Sequence, residues 1–190
     1  MNNRFWMIGL LIIMAVVCST ALALVNKVTA PIISMQNEIR YKRTVLEVFK
    51  IPYSAEDSDT IISTYGQNIE EREDGGTIMF IENKTGNTAI SITGSGFQGP
   101  ITLIVALKDG IITGFKVVNQ VETPGLGARI TEEAFQQSFV GKNVSGGIKM
   151  TKSGNAGPGE FDAITGATET SKSLERILNA GFARYSGISK

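Results

Sequence analysis

The sequence predicts an α+β protein in which one N-terminal transmembrane helix precedes an antiparallel-sheet domain with packed helices. Three observations carry this prediction. Residues 5–25 form an uncharged apolar run, residues 77–118 alternate between β-rich runs and short turn sequences, and residues 174–185 repeat apolar side chains at helical spacing. The chain has 190 residues, so beyond the apolar run there is room for one soluble domain of ordinary size.

The N-terminal run, Phe5–Val25, is long enough to cross a membrane, because a helix that rises ~1.5 Å per residue needs about 20 residues for the hydrocarbon core. Arg4 suits one membrane interface and Lys27 the other. The alternative is a cleaved signal peptide, since Ala21-Leu22-Ala23 resembles a processing site. The run exceeds the usual signal core of about 7–15 residues, so we predict a retained anchor over residues 1–27.

Residues 28–76 are predicted to form a juxtamembrane helix and a connecting segment. Apolar residues recur at helical spacing from Val28 to Ile51, Pro31 is tolerated in a first turn, and Pro52 ends the helix. Ser54–Gly76 is acidic and is interpreted as a solvated connection with room for one short strand. Its carboxylates lack the spacing of a calcium-binding loop, so no metal site is expected there.

Two β-hairpins are predicted in the domain that spans residues 77–190. Thr77–Glu82 and Thr88–Thr93 form the first pair of strands, and Ile101–Leu107 and Ile111–Val118 form the second. The second pair is joined through Asp109-Gly110, a dipeptide that favours the tight turns of hairpins.

Helices are predicted towards the C-terminus of the domain. Thr131–Phe139 is interpreted as a short helix, and the polar, glycine-rich Lys149–Gly159 as a loop. The last helix ends near Gly187 and has one apolar face. That face comprises Leu174, Ile177, Leu178, Gly181, Phe182 and Tyr185.

The composition excludes several classes of function. Lysine plus arginine equals aspartate plus glutamate at 18 each, so there is no basic field for nucleic acid. The chain has no histidine, which removes the commonest general base and metal ligand and excludes a Ser-His-Asp triad. Its single cysteine, Cys18, supplies neither an iron–sulfur cluster nor an internal disulfide. A redox function would therefore need an organic cofactor.

Two glycine-rich passages interrupt the predicted strands. Gly94–Pro100 lies between two strands, and Glu122–Gly127 lies between a strand and a helix. Neither matches a dinucleotide-binding fingerprint or a P-loop. Each is interpreted either as a turn that needs glycine or as part of a shallow pocket in which backbone N–H groups meet a planar or phosphorylated ligand.

The stretch FDAITGATETS, residues 161–171, gathers hydroxyl groups just before the last predicted helix. One interpretation is a helix cap, since serine and threonine are favoured there. The other is a phosphate or attachment site, because unpaired N–H groups and the helix dipole stabilise an anion without lysine or arginine. No local base activates Thr168, so a modification would need a dedicated transferase.

Asp162–Thr168, DAITGAT, resembles the D-x-x-[ST]-G-A-T signature of covalent FMN-binding domains. Glu122–Gly127, ETPGLG, resembles the second motif of that family, and Gly94–Pro100 resembles its glycine-rich strand turn. The resemblance covers most of Ile90–Ser186. With one N-terminal span, the chain is similar to the G subunit of the Rnf ion-translocating electron-transport complex and to the usually longer C subunit of the sodium-pumping NADH:quinone reductase.

The resemblance implies the residues of the site. Thr168 is expected to carry FMN through a phosphoester bond that a flavin transferase forms from FAD. No catalytic side chain and no metal ligand are expected. The other residues expected to bind or frame the cofactor are Asp162, Thr165, Gly166, Ala167, Glu122, Thr123, Gly125, Leu126 and Gly127.

The resemblance also implies a function and a place. The chain is expected to relay electrons between other membrane and redox subunits of a ferredoxin:NAD oxidoreductase complex, with no independent catalytic activity. The domain is expected on the extracytoplasmic side of the cell inner membrane, with the anchor in lipid, although positive charges after the span mildly favour the opposite side. The alternatives are a component of a quinone reductase, a standalone extracytoplasmic flavoprotein, a membrane-anchored ligand-binding sensor and a structural assembly protein.

Overall fold

A computed structural model describes residues 2–54, 57–74, 76–152 and 154–188 of the chain. The chain divides into two compact units, Met1–Ile39 and Arg40–Lys190. The boundary between them falls inside the first helix.

The first helix, α1, comprises Asn2–Val48, and its residues up to Ile39 constitute the first unit. Within the described residues it is the one helix long and apolar enough to cross a membrane. Its large apolar side chains, from Phe5 to Met35, are exposed, as expected for a lipid-facing surface. Pro31 lies inside α1, whereas the sequence pattern predicts it in the first turn of a separate helix. That prediction of the helix start was wrong.

The second unit contains a five-stranded antiparallel sheet in which neighbours along the chain are neighbours in the sheet. A separate pair of short strands, β6 and β7, is parallel. The helices after α1 are α2, a 3₁₀ turn, α3 and α4. In chain order the elements are α2 Ser58–Asn68, β1 Ile69–Asp74, β2 Thr77–Glu82, β3 Thr88–Ser95, β4 Pro100–Lys108, β5 Ile111–Asn119, the 3₁₀ turn Gly127–Thr131, α3 Glu133–Gln137, β6 Lys149–Thr151, β7 Glu160–Asp162 and α4 Thr168–Ile188.

Both predicted hairpins are confirmed, since β2 pairs with β3 and β4 pairs with β5. Asp109 and Gly110 have φ angles of 52° and 75°, so both central residues of the turn are in the left-handed region that this dipeptide favours. A register shift between Ala106 and Leu107 interrupts the second hairpin, and it lets both Ile112 and Phe115 face the same core.

Two predictions of irregular structure were wrong in part. The acidic connection contains α2, whose N-terminus is capped by the Asp57 carboxylate and whose Ile61 and Tyr65 are buried. The one short strand that the prediction allowed in this segment is present as β1, and its glutamates lie on an edge strand, where charge discourages pairing with other chains. The predicted loop Lys149–Gly159 begins with strand β6, whose residues pair with β7 residues eleven positions further along the chain.

The sheet is covered on both faces, which is why the inner strand β4 is buried almost continuously. One face packs on the last turns of α1, where the Tyr41 ring lies edge-on to Phe80 at 5.7 Å. On the same face, a methyl group at Gly114 would lie 2.2 Å from the Val48 carbonyl oxygen. The other face forms the main core with the buried face of α4, confirming the predicted apolar stripe.

Four phenylalanines join the second half of the domain to the sheet. Phe139 stacks on Phe115 of β5 at 4.2 Å between ring centroids and contacts Phe135 and Phe161 at 5.3 and 5.1 Å. Phe161 lies in β7, directly before the DAITGAT stretch. The aromatic cluster therefore fixes the strand that leads into the candidate site.

Candidate functional site

A cleft of about 340 Å³ lies at the N-terminus of α4. Three segments far apart in sequence form its walls: the turn between β3 and β4, the stretch after β5, and the turn that begins α4. The residues that line it are Phe97, Glu122, Thr123, Leu126, Gly127, Gly166, Ala167, Thr168, Glu169 and Thr170. The tertiary structure thus brings together the three motifs found in the sequence.

The Glu122 carboxylate joins the three segments. Its Oε1 accepts hydrogen bonds from the backbone N–H groups of Phe97 and Gln98, at 2.8 and 3.0 Å. Its Oε2 accepts a hydrogen bond from the Thr170 hydroxyl at 2.7 Å. The Glu122 side chain is 4% exposed, so these bonds replace water around a buried carboxylate. Glu122 therefore shapes the cleft rather than only lining it.

Gly127 allows this junction to close. A methyl group on it would lie 2.5 Å from Thr170 Oγ1 and 2.8 Å from Glu122 Oε2. We expect Gly127→Ala to lower the free energy of unfolding by about 1–3 kcal/mol, because an added methyl must displace both partners of a buried hydrogen bond. Urea denaturation followed by circular dichroism measures the effect.

The matched control is Gly146→Ala, since a methyl group there meets open space and its backbone is outside the left-handed region. We expect it to change stability by no more than about 0.5 kcal/mol. Equal losses in the two variants would contradict the crowding argument at Gly127.

The turn before α4 is held by hydroxyl and backbone groups. The Ala167 N–H donates to the Ile164 carbonyl at 2.9 Å, and Gly166 has φ of 82° in this turn. Ser171 Oγ accepts a hydrogen bond from the Ile164 N–H and donates one to the Ala167 carbonyl, each at 3.0 Å. The Ser171 and Thr170 hydroxyls are therefore both used structurally.

Thr168 differs from these hydroxyl residues. The Ala167 carbonyl accepts the Ser171 N–H at 3.0 Å, which makes Ala167 the capping residue and places Thr168 in the first turn of α4. Thr168 is half-buried and lines the cleft. In the described part of the chain, no group forms a hydrogen bond with its hydroxyl. The geometry therefore gives Thr168 no capping bond and leaves its hydroxyl available in the cleft.

The structure places most of the expected site residues together. Glu122, Thr123, Leu126 and Gly127 line the cleft with the expected residues of the last motif, Gly166, Ala167 and Thr168. Thr165 and Gly125 are exposed and lie outside the lining, as does Asp162. Asp162 Oδ2 accepts a hydrogen bond from the Ala156 N–H at 3.3 Å, and its buried Oδ1 has no partner among residues with described positions.

Sequence reasoning missed three residues of the cleft. Phe97 is the aromatic residue of the Gly94–Pro100 passage and is 61% exposed, so its side chain offers an apolar surface beside the cleft. Glu169 and Thr170 follow the DAITGAT stretch directly, and the sequence pattern marks Thr170 only as a candidate cap. The sequence signal that could have identified Phe97 is that it is the one aromatic residue of the glycine-rich passage Gly94–Pro100.

The cleft has the features that a flavin phosphate needs, apart from positive side chains. Its volume lies at the lower end of the ~300–1,000 Å³ usual for ligand pockets, so a nucleotide-sized ligand would extend beyond it into solvent. The first turn of α4 offers the positive end of the helix dipole. Among the lining residues that the structure describes there are two carboxylates, Glu122 and Glu169, and no lysine or arginine. The lining therefore offers a helix N-terminus but no side-chain cation to the phosphate of a bound FMN.

Comparisons with known proteins show which family the chain belongs to. The family model described as FMN-binding domain matches residues 96–183. The G subunit of the Na⁺-translocating ferredoxin:NAD⁺ oxidoreductase complex of Acetobacterium woodii is 30% identical over 197 aligned residues, covering 95% of this chain and 91% of that protein. The G subunit of the ion-translocating oxidoreductase complex of Shewanella loihica is 28% identical, and the alignment covers 93% of this chain and 87% of that protein.

A solved structure shares the fold. The crystal structure of the C subunit of the Na⁺-translocating NADH-quinone reductase from Parabacteroides distasonis superposes with a TM-score of 0.67 at 24% identity. The superposition covers 81% of this chain and 94% of that one. The predicted fold class, an N-terminal apolar helix followed by an antiparallel sheet with packed helices, is confirmed.

Proposed function

The chain belongs to the family of G subunits of Rnf-type ion-translocating oxidoreductase complexes, and we propose that it relays electrons through an FMN esterified to Thr168. It is a membrane-anchored FMN flavoprotein and a component of such a complex. We propose three points beyond this: that FMN is attached to Thr168, that the cofactor at this residue relays the electrons, and that the domain lies on the extracytoplasmic side of the membrane.

One observation carries the covalent attachment: Thr168 lines the cleft, and its hydroxyl has no hydrogen-bond partner among the described residues. Reversible phosphate sites commonly use arginine or lysine to hold the charge. The described lining has two carboxylates and no such cation, so electrostatics alone would hold FMN poorly. A phosphoester bond removes one negative charge from the phosphate and keeps the cofactor in place regardless of affinity.

FAD donates the FMN group in the proposed attachment reaction. A bond forms between Thr168 Oγ1 and the phosphorus nearest the flavin, the bond from that phosphorus to the adenylate oxygen breaks, and AMP leaves with the electron pair. The hydroxyl proton goes to a base of the transferase, because the chain has no histidine, the Glu122 carboxylate already accepts from Thr170, and the Glu169 carboxylate pairs with Lys172.

The chain's own residues bind and position the cofactor. When bound, FMN supplies one- and two-electron transfer. The first turn of α4 accommodates the phosphoester, and the Glu122 junction holds the three walls of the cleft together. The α1 anchor keeps the domain near the other subunits of the complex at high effective concentration. We expect no catalytic activity from the isolated chain.

The proposal divides the chain into three parts. Residues 1–27 anchor the protein in lipid, residues 28–76 link the anchor to the domain and add the edge strand β1 to its sheet, and residues 77–190 carry the flavin on the extracytoplasmic side. The anchor's lipid-facing role is supported by its exposed apolar side chains. Sidedness rests on the family resemblance and is tested by protease access to the domain in sealed inner-membrane vesicles.

The proposed function is tested by purifying the full chain from cells with and without a flavin transferase. After denaturing electrophoresis we expect a fluorescent band only with the transferase, because the chain supplies no base of its own. Fluorescence that migrates with the dye front would mean that FMN is bound reversibly. A band of equal brightness without any transferase would contradict the proposed route of attachment.

A further inference from the structure

The Glu122 carboxylate is a buried charge in the wall of the flavin cleft. It is 4% exposed and accepts three hydrogen bonds, two from backbone N–H groups and one from Thr170. None of these donors carries a formal charge. Across the described residues, no lysine or arginine nitrogen forms an ion pair with Glu122. Its negative charge is therefore stabilised by dipoles but not neutralised.

We infer that Glu122 lowers the midpoint potential of the bound flavin by electrostatic repulsion, an inference that rests on the proposed attachment of FMN in this cleft. Reduction adds an electron to the cofactor, and an uncompensated anion in the cleft wall opposes that gain of negative charge. No bond forms or breaks at Glu122 in this step. Glu122 acts as a positioning residue for the cleft and, through its charge, as a tuning residue for the potential.

Glu169 provides a matched comparison on the same cleft. Its side chain is 58% exposed, and its carboxylate pairs with the Lys172 ammonium at 2.7 Å. Water and the neighbouring cation screen this charge, so its influence on the flavin is much smaller. The two glutamates thus separate a buried, unpaired charge from an exposed, paired one at the same site.

Glu122→Gln removes the charge while the hydrogen bonds can be retained. The amide oxygen accepts from the N–H groups of Phe97 and Gln98, and the amide nitrogen donates to Thr170 Oγ1, which then acts as acceptor. The walls of the cleft stay joined, so a change in potential reports the charge.

The experiment is a potentiometric titration of the full-length chain, flavinylated by a coexpressed transferase and purified in detergent. Dithionite supplies the electrons, and flavin absorbance reports both the loading and the oxidised fraction. We expect Glu122→Gln to raise the equilibrium constant for one-electron reduction about tenfold, a shift of about 59 mV to higher potential. Glu169→Gln should shift the potential by less than a third of that amount.

Thr170→Val is the second variant, because it keeps the charge but removes one of the groups that stabilise it. We expect its potential to fall below the wild-type value. If Glu122→Gln cannot be purified with bound flavin, the test rests on the midpoint potential of Thr170→Val. An unchanged or raised potential in Thr170→Val overturns the inference.

The outcomes separate this inference from the proposed function. A fully loaded Glu122→Gln chain with an unchanged or lowered potential overturns the tuning role while leaving the attachment intact. A rise of equal size in Glu122→Gln and Thr170→Val would mean that loosening of the cleft, not charge, moves the potential, and it too overturns the inference. A wild-type chain that carries no covalent flavin defeats the proposed function and the inference with it.

Discussion

Thr168→Val is expected to carry no covalent flavin, although the wild-type chain coexpressed with the same transferase gives a fluorescent band after denaturation. Valine has nearly the shape of threonine but lacks the hydroxyl that attacks the flavin phosphate in the proposed attachment. The hydroxyl of Thr168 has no hydrogen-bond partner among the described residues, so the substitution breaks no contact. We therefore expect Thr168→Val to lose all covalent flavin and to lower the free energy of unfolding by less than about 0.5 kcal/mol.

Two controls locate the attachment within the stretch. Thr168→Ser keeps a hydroxyl at the same atom and should remain fluorescent. Thr165→Val removes the other hydroxyl of the DAITGAT motif, which is exposed and outside the cleft lining, and any flavin that this variant carries should still map to Thr168. Mapping of the flavin-bearing peptide checks the site directly, and a label that survives Thr168→Val would rule out this residue as the attachment point.

Phe139→Ala is expected to produce the largest loss of stability, about 3–5 kcal/mol. Phe139 is fully buried and touches Phe115, Phe135 and Phe161 within the aromatic cluster. Removing its ring leaves a cavity among these side chains and loosens β7, which leads into the attachment motif. Flavin loading should fall together with the stability.

The measurement for Phe139→Ala is urea denaturation of the detergent-purified chain followed by circular dichroism. Tryptophan fluorescence is unsuitable, because the only tryptophan, Trp6, lies in the first unit and outside the domain. Phe97→Ala is the matched control, since Phe97 is 61% exposed and outside the aromatic cluster. We expect it to cost no more than about 0.5 kcal/mol; comparable losses in the two variants would disprove the role of the cluster.

Much of the fold follows from local patterns. The anchor is recognisable from an uncharged run of sufficient length, and the β4–β5 hairpin from the Asp109-Gly110 pair, whose positive φ angles only a few residue types adopt easily. The buried face of α4 repeats at 3.6-residue spacing. Each of these signals depends on residues that are neighbours in the chain or on one helix, so no tertiary information is needed to interpret them.

Other elements were not predicted from the sequence, because their stability comes from contacts with residues distant in the chain. The helix α2 has weak local signals, and its two buried residues, Ile61 and Tyr65, stand among exposed polar ones. Strand β6 forms because it pairs with β7, and a polar, glycine-rich sequence gives no local pattern that predicts such pairing. The periodicity of the sequence predicted that a new helix begins near Pro31. In the structure Pro31 lies inside α1, which continues although proline supplies no backbone N–H there.

The sequence by itself determined the membrane anchor, the hairpins, the absence of histidine and cysteine chemistry from residues 28–190, and the three motifs of the candidate site. Only the tertiary structure decided that these motifs meet in one cleft, that Thr170 and Ser171 are structurally engaged while Thr168 is not, and that Glu122 is a buried charge at the junction. The physical reason is that hydrogen bonds and burial at this site join residues as many as 48 positions apart. Composition and spacing report which groups a chain possesses, whereas the packing of distant segments determines which of them remain free to react.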